Sequence, residues 1–427
     1  MLALPDLTLA ELFDAVNHEL KNQLSPADQL RRRVHQNPEI SWLEHETSAA
    51  VSGALEGMVL EPIAETGLLV HVGDADLPAI GIRAELDGLP IIEGTDVEFA
   101  STNGAMHACG HDVHMAALVA LLRAFEKVCQ TGRPPVSLLG VFQPSEESNP
   151  SGAQRIVESG RLRDHRLAAM LALHVHPRVA WGSVATGEGA VNACSDSFTL
   201  TVTGVGGHSA YPHHGHDPVL ALSQVVVALQ QIVSRRVDPM HPAVISVTRL
   251  EAGSVANVIP AEAIAEGTVR VLDPTDRASV LELVESIAVN TAAAYGCRVR
   301  VEVQHGDPVL VNDPRLATAV DAGLGRTGIE VAEPMRSCGA DDFAFYGAVC
   351  PSLMMFLGVE DHCGQPATES DANNLGIDHS VAGAGRSPGL HHPNFLPSEE
   401  TVARAARVML TAFIAAAETV FEPREGN

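Results

Sequence analysis

The stretch that decides the fold is Val136–Glu147, which reads VSLLGVFQPSEE. It opens with an almost continuous apolar run that Pro144 ends, as expected for a strand buried on both faces. Further apolar runs of this kind are Leu68–Val72, Ala79–Arg83 and Leu167–His174. Helical patterns lie among them at Met115–Cys129 and Gly152–Ser159. Because buried strands that alternate with helices build parallel sheets, the sequence predicts an α/β domain with a mostly parallel sheet.

A different pattern begins near Ala193. Predicted elements follow in the order strand, helix, strand, strand, helix, strand: Ser197–Thr203, Pro218–Val237, Val244–Leu250, Ile264–Val271, Arg277–Tyr295 and Arg298–Val303. This order is typical of a ferredoxin-like α+β domain. The first pattern then resumes with a helix, a strand and a helix, at Pro314–Gly328, Ser352–Gly358 and Ser398–Val420. We therefore predict one domain formed by residues 1–193 and 308–427, with residues 194–307 inserted into it.

The first domain is predicted to begin with a helical region and to contain a long loop in its C-terminal part. Thr8 and Glu11 form a capping-box pattern, and Ser25 followed by Pro26 is typical of a helix start, so two helices are predicted before Asn37. Residues 359–389 have no periodicity and are predicted to form a long surface loop, whose role the sequence leaves open.

Charge and composition exclude several classes of protein. The chain has 53 acidic and 27 basic residues and a formal charge of −26, which argues against binding to nucleic acid. Apolar runs such as Met115–Leu122 are shorter than the roughly 20 residues of a membrane span, and Met1–Asp6 does not resemble a secretion signal. The seven cysteines include no CxxC pair, which argues against a disulfide framework. We expect a cytoplasmic protein without a membrane partner.

The densest group of chemically active residues lies just before the predicted helix at Met115. It contains His107, Cys109, His111 and His114, and a thiolate beside imidazoles favours zinc over magnesium or calcium. The alternative is a loop of surface histidines in a chain that has 20 of them. We favour the metal because open α/β sheets place ligands at such strand-to-helix connections.

Three further segments follow predicted strands or lie near the end of the chain. Glu146 and Glu147 are adjacent, so on an extended backbone they would point to opposite sides, and one could bind a metal while the other acts as a general base. His174 and His391 each precede an HP pair, and either one taken alone could be structural. If these segments meet at one edge of the sheet, they supply the ligand count of a two-metal site: Cys109, His111, Glu147, His174 and His391.

The inserted domain carries its own polar candidates. Gly204–Ala210 begins like a dinucleotide-binding loop, but Ser209 occupies the third glycine position, so we reject that interpretation. Asn257 and Arg270 could hold a carbonyl oxygen and a carboxylate. The alternatives are that Asn257 is a turn residue and that Arg270 is a charge on the surface of a strand.

Seven motifs now stand in one order along nearly the whole chain. They are IRAELDGLPI (Ile82–Ile91), MHACGHDVHMA (Met106–Ala116), FQPSEE (Phe142–Glu147), GGHSAYPH (Gly206–His213), ANVIP (Ala256–Pro260), GTVR (Gly267–Arg270) and LHHPNF (Leu390–Phe395). This set resembles the dinuclear-metal amidohydrolases of the aminoacylase and carboxypeptidase superfamily, in the branch of hippurate hydrolase, N-acetyldiaminopimelate deacetylase and the plant hormone-conjugate hydrolases.

The resemblance implies a role for each matching residue. It implies that Cys109, His111, Glu147, His174 and His391 bind two divalent metal ions, with the Cys109 thiolate in place of a bridging carboxylate. Zinc is the first expectation, and manganese and cobalt are the alternatives. Glu146 resembles the general base. His208 resembles a histidine of the inserted lid and dimerisation domain that reaches the active site of a neighbouring subunit, which implies a homodimer.

Three features depart from the family pattern. Glu85 stands where the family usually has Asp, and Asp341 stands where it usually has Glu, so each exchange keeps the charge and changes the reach of the side chain. The loop before Leu390 is also longer than expected. These departures concern the substrate pocket more than the chemistry.

The hypothesis for function is metal-dependent hydrolysis of the amide bond of a small-molecule N-acyl amino acid. Glu146 would move a proton from water to the leaving amine, His208 and Asn257 would hold the oxyanion, and Arg270 would bind the substrate carboxylate. A serine hydrolase is disfavoured because no strand precedes Ser387 in its GxSxG match. A catalytically silent metal-binding protein is disfavoured by the intact glutamate pair. A metallo-dipeptidase or carboxypeptidase remains open as the alternative.

Overall fold

The computed structural model of the chain describes residues 4–359 and 388–421, which divide into two compact units. Of the described residues, 4–189, 311–335, 345–359 and 388–421 belong to the first unit, and 190–310 and 336–344 belong to the second. The predicted borders lie close to these, but residues 336–344, which the prediction gave to the first domain, cluster with the second unit. Their backbone pairs within the second unit, since Ala193 N–H donates to the Ser337 carbonyl at 3.1 Å. The predicted loop at 359–389 lies almost wholly outside the described residues.

The first unit is built on a mixed sheet whose centre is parallel. Its strands are β1 (Glu61–Ile63), β2 (Gly67–Val72), β3 (Ala79–Glu85), β4 (Ser137–Gln143), β5 (Leu167–His176), β6 (Val184–Ala185) and β15 (Ser352–Gly358). The order is β1-β2-β4-β3-β5-β15-β6, and β4, β3, β5 and β15 run parallel to one another. Every residue of β3, β4 and β15 is buried, as expected for strands covered on both faces. The prediction of a mostly parallel sheet is confirmed.

Six α-helices, one of them only seven residues long, accompany this sheet in the described part of the first unit. They are α1 (Leu9–Gln36), α2 (His45–Ala54), α3 (His111–Cys129), α4 (Gly152–Glu158), α8 (Pro314–Arg326) and α9 (Glu400–Phe421). α3 is almost completely buried, and it packs against both α1 and α9. The rings of Phe125 on α3 and Phe413 on α9 meet edge to face, with their centroids 5.4 Å apart. α3 is therefore the central helix of this core.

The two helices predicted before Asn37 are a single helix, so that prediction is wrong. The capping box of Thr8 and Glu11 is confirmed, but Pro26 lies inside α1 and does not start a new helix. Proline removes one backbone hydrogen bond from a helix interior. The apolar face of α1 nevertheless continues across it through Leu20, Ala27 and Leu30, all buried, and this packing keeps the helix continuous.

The second unit has the predicted ferredoxin-like order. Its main elements are β8 (Asp196–Thr203), α5 (Pro218–Leu229), α6 (Gln231–Arg235), β10 (Ala243–Ala252), β12 (Glu262–Val271), α7 (Asp276–Ala294) and β13 (Arg298–Gln304). Four strands form an antiparallel sheet in the order β10-β12-β8-β13, and α5 and α7 pack together. The helix predicted over Pro218–Val237 is divided in two at Gln230. A small ribbon pairs β9 (Gly207–His208) with β11 (Val258–Ile259), and short strands β7 (Gly189–Asn192) and β14 (Leu310–Asn312) lie at the borders of the unit.

Within the part of the chain that the structure describes, one window, Pro218–Arg235, is long and apolar enough by length and composition to cross a membrane. A core helix of a soluble protein passes the same test. α5 forms most of this window, and its buried residues Ala221, Leu222 and Val225 belong to the hydrophobic core of the second unit. The expectation of no membrane partner stays a prediction.

Replacing Phe125 by Ala is expected to destabilise the first unit by about 3–5 kcal/mol, because it removes a fully buried ring and leaves a cavity beside Phe413. Urea unfolding followed by circular dichroism measures this change. Phe421→Ala is the matched control, because Phe421 is half exposed at the end of α9 and should shift the transition little. A Phe125→Ala protein as stable as this control would contradict the assignment of α3 as the central core helix.

Candidate metal centre

The predicted ligands lie together at the end of the parallel sheet. Cys109, His111 and His174 are buried, and one donor atom from each lies within 4.8 Å of the others. The same limit holds for the group Cys109, Glu147 and His391, and for the group His111, Glu146 and Glu147. The three groups share members, so these six side chains form one connected cluster. The Cys109 thiol belongs to two of the groups, and its sulfur lies 3.3 Å from His174 Nε2.

Gly110 makes this arrangement possible at the start of α3. It is the N-cap of the helix and has a left-handed backbone, with φ of 84°. A β-carbon at this position would lie 2.3 Å from Val175 Cγ2, so only glycine fits the turn. The helix begins at His111, earlier than the predicted Met115, and Cys109 and His111 therefore lie on either side of the cap. The backbone turn at Gly110 brings both side chains into the cluster.

The glutamate pair is placed by a second sharp turn. β4 ends at Gln143, and Ser145 has a left-handed backbone with φ of 50°, so the predicted extended segment is wrong. Ser145 N–H donates to Glu44 Oε1 at 2.8 Å, which holds the turn. Beyond it, Glu146 Oε2 lies 3.9 Å from His111 Nε2, and Glu147 Oε1 lies 3.0 Å from His391 Nε2. The two carboxylates contact different histidines of one cluster.

Backbone carbonyls orient the two buried histidines. His111 Nδ1 donates to the Asp87 carbonyl at 2.8 Å, and His174 Nδ1 donates to the Val175 carbonyl at 2.7 Å. Each ring therefore directs Nε2, with its lone pair, away from these carbonyls. His111 Nε2 is buried and has no hydrogen-bond partner. An unsatisfied imidazole nitrogen among a thiol, a second imidazole and two carboxylates fits a transition-metal ion, so the residues present fit the metal pair that the sequence predicts.

The last ligand candidate, His391, lies outside any helix or strand. Its backbone is left-handed, with φ of 64°, and its N–H donates to the Ala108 carbonyl at 2.9 Å. Because Ala108 precedes Cys109, this hydrogen bond connects the C-terminal segment directly to the start of the cluster. The ring itself is half exposed.

The other two histidines of the HACGHDVH segment have different surroundings. His114 Nδ1 donates to Glu85 Oε2 at 2.8 Å, and its Nε2 accepts Val175 N–H at 3.0 Å, so both nitrogens are already bonded. Burial lowers the pKa of His107 to about 4, so its ring is neutral at pH 7. Glu85, one of the departures from the family pattern, thus supports His114 beside the cluster.

Asp87 is a residue of the site that the sequence analysis did not single out. Its Oδ2 accepts Glu147 N–H at 3.0 Å and Ser41 Oγ–H at 2.8 Å. Burial raises the pKa of Asp87, but His111 and these two donors more than offset that effect, so the pKa lies below its usual range. The signal was present in the motif IRAELDGLPI, where Asp87 follows a buried strand at the edge that binds ligands.

The second unit places His208 and Asn257 side by side and Arg270 on another strand. His208 is exposed and pairs with Val258 in the β9–β11 ribbon, and Ser209 N–H donates to the Asn257 carbonyl at 3.1 Å. His208 Nδ1 accepts Ala210 N–H at 3.1 Å, which leaves Nε2 as the donor of a neutral ring. Arg270 is partly buried on β12 opposite Val244.

Known proteins match this chain over most of its length. The model of Peptidase family M20/M25/M40 matches residues 81–385. An N-acetyl-L-cysteine deacetylase of Bacillus subtilis is 37% identical and aligns with 83% of this chain and 85% of its own. An N-acetyldiaminopimelate deacetylase of Shouchella clausii is 34% identical, with 83% and 96% covered. The crystal structure of a dinuclear metal binding peptidase of the M20 family from Bacillus subtilis has a TM-score of 0.76 and 29% identity, with 93% and 99% covered.

The family model spans more than half of the chain, and the two deacetylases exceed 30% identity over more than two thirds of it. The resemblance predicted from the seven motifs is thereby confirmed. The chain belongs to Peptidase family M20/M25/M40 and is an amidohydrolase enzyme of that family.

Proposed function

We propose that this enzyme hydrolyses the amide bond of N-acyl amino acids and releases a carboxylic acid and an amino acid. The observation that carries the proposal is the Cys109 cluster with Glu146 at its edge, 3.9 Å from His111 Nε2. Two relatives support the substrate class, because their names describe deacetylation of N-acetylcysteine and of N-acetyldiaminopimelate. Chelator-sensitive release of amino acid from N-acetyl, N-benzoyl and longer N-acyl amino acids, assayed beside plain dipeptides, tests it against a dipeptidase.

We infer that Cys109, His111, Glu147, His174 and His391 hold two divalent metal ions. The thiolate and the imidazoles favour zinc, with manganese or cobalt as alternatives. When bound, such a pair lowers the pKa of a water molecule and polarises the scissile carbonyl. Cys109 belongs to two of the three donor groups, so its thiolate would help to hold the metal pair. Asp87 fixes the His111 ring through its backbone carbonyl, which accepts a hydrogen bond from Nδ1 at 2.8 Å, as acceptors behind metal-binding histidines commonly do.

Glu146 is the general base in this mechanism. Its side chain is about 10% exposed, so water reaches it, while the neighbouring Glu147 contacts His391. The turn at Ser145 separates the two carboxylates and gives them different partners. Glu146 would accept a proton from the attacking water and deliver it to the nitrogen of the leaving amine.

The second unit would supply the groups that hold the substrate. The Nε2–H of His208 and the Asn257 amide are donors suited to the oxyanion, and the Arg270 guanidinium is suited to the substrate carboxylate. We propose that the chain is a homodimer in the cytoplasm and that His208 serves the active site of the neighbouring subunit. The exposure of His208 and its position on a small ribbon support this role.

Glu146→Gln is expected to lower turnover of N-acetyl amino acids at least 100-fold, because the amide cannot accept the proton, and to leave metal content unchanged. Steady-state kinetics and elemental analysis of the same preparation measure both quantities. Glu158→Gln, an exposed exchange at the end of α4, is the control and should keep full activity. Near-normal turnover in the Glu146 variant would remove its assignment as the base.

Cys109→Ala is expected to lose both metal ions after dialysis, because this thiol belongs to two of the three donor groups. Cys129→Ala is the matched control at the other end of α3, where burial raises the thiol pKa to about 12, and it should retain both ions. Metal per chain is measured by elemental analysis. Retention of two tightly bound ions by Cys109→Ala would show that the Cys109 thiolate is not needed to hold them.

Mixing two inactive variants tests whether His208 acts in the neighbouring subunit. In a mixed dimer of His208→Ala and Glu146→Gln chains, one site has both native groups and the other has neither. Random re-association should therefore restore about a quarter of wild-type activity. If His208 acts within its own chain, every site stays defective and no activity returns. A fully active monomer would also rule out the role in the partner.

A further inference from the structure

A buried group of four charges lies next to the metal-ligand candidates and takes no part in the chemistry described above. It consists of Arg31 and His35 on α1, Asp112 on α3, and Glu93 in the connection between β3 and α3. The side chains of all four are at most 4% exposed. We refer to them as the buried quartet. Buried charges are costly unless they are paired, so a complete quartet beside the active site calls for an explanation.

Hydrogen bonds within the quartet converge on Asp112. Arg31 Nε donates to Asp112 Oδ2 at 3.0 Å, and His35 Nδ1 lies 3.0 Å from the same oxygen. His35 Nε2 contacts Glu93 Oε1 at 3.1 Å. Burial lowers the pKa of His35, but the two carboxylates raise it to about 9, so the ring is charged at pH 7. Two cations and two anions therefore balance, and the quartet as a whole is neutral.

Arg31 also connects two segments that carry metal-ligand candidates. Asp112, its first partner, immediately follows His111 in the first turn of α3. The other end of the guanidinium donates to two backbone carbonyls, from Nη1 to Ser398 at 2.9 Å and from Nη2 to Pro397 at 2.6 Å. These carbonyls belong to the irregular segment that contains His391. One side chain of α1 thus joins the His111 segment to the His391 segment.

The His391 segment depends on such contacts because it has no helix or strand around the ligand. Within the described residues its fixed points include the His391 N–H bond to Ala108, a bond from Gly94 N–H to the Pro393 carbonyl at 2.8 Å, and the Arg31 fork. Gly94 follows Glu93, so the donor of the second hydrogen bond is adjacent in sequence to a member of the quartet. Cys109, His111 and His174, in contrast, lie on or next to regular elements.

We propose that Arg31 is a positioning residue for the metal centre, which holds the His391 segment in register with the start of α3. This inference rests on the proposed two-metal site. The rigid guanidinium fork binds Asp112 and two carbonyls at once, and lysine cannot reproduce that geometry. Loss of the fork should therefore weaken metal binding through His391 and leave the Cys109, His111 and His174 group intact.

The test is a zinc titration of metal-free protein in competition with a chromophoric chelator, which yields two stepwise dissociation constants. For Arg31→Lys we expect one constant to stay at the wild-type value and the other to weaken about 10- to 100-fold. Arg32→Lys is the control, because the neighbouring Arg32 pairs with Glu399 at the surface and should change neither constant. Thermal unfolding of each variant is recorded in parallel.

A double-mutant cycle separates positioning from general stabilisation. His391→Ala should weaken the same zinc constant, and adding Arg31→Lys to it should cause no further loss, because Arg31 acts through His391. Unchanged zinc binding in Arg31→Lys, equal weakening of both constants, or additive effects in the cycle would each overturn the proposal. A wild-type protein that binds fewer than two zinc ions would instead overturn the proposed metal centre.

If Arg31→Lys does not fold, Arg31→Gln combined with Asp112→Asn takes its place, because this pair keeps the quartet neutral and still removes the fork. The same selective loss of one zinc constant is expected. Failure of both proteins to fold would assign Arg31 to general stability and would overturn the positioning role.

Discussion

The candidate metal centre depends on the buried carboxylate of Asp87. A carboxylate without solvent needs donors, and Asp87 Oδ2 finds them in separate parts of the chain, at Ser41 and at the Glu147 backbone, while Oδ1 lies 3.5 Å from Nδ1 of the His111 ring. Glu147 and His111 are both residues that we assign as metal ligands. Asp87 therefore fixes the backbone of one ligand through its carboxylate and the ring of another through its own backbone carbonyl.

Three residues with unusual backbone conformations lie at the same place. Gly110, Ser145 and His391 all have left-handed backbones, and each is a ligand candidate or lies within two residues of one. Such conformations are costly for residues other than glycine and persist only when surrounding contacts hold them. Glu44 holds Ser145, and the Ala108 carbonyl holds His391. The stability of the core centred on α3 offsets the conformational cost of these turns.

The sheet and the ligand candidates could be predicted from sequence because both leave local signals. Strands buried on both faces are continuously apolar, and ligands occur at the ends of those strands in short motifs. The continuity of α1 across Pro26 could not be predicted this way, because packing against α3 outweighs the local cost of proline. Likewise, residues 336–344 have no periodicity, so only their backbone pairing with Ala193 reveals where they belong. Arg31 was missed because its partners lie 81 to 367 residues away.

Net charge distinguishes the buried quartet from the candidate metal cluster. The buried quartet is balanced, because its two cations face two anions, and it needs no further counter-charge. In its metal-binding form the cluster would be unbalanced, because deprotonated Glu146, Glu147 and Cys109 are anionic and neutral histidine ligands carry no charge. Together with the buried Asp87 carboxylate these groups carry four negative charges, which two divalent cations would neutralise. In a chain with a net charge of −26, that neutralisation would help a substrate carrying a carboxylate to enter the site.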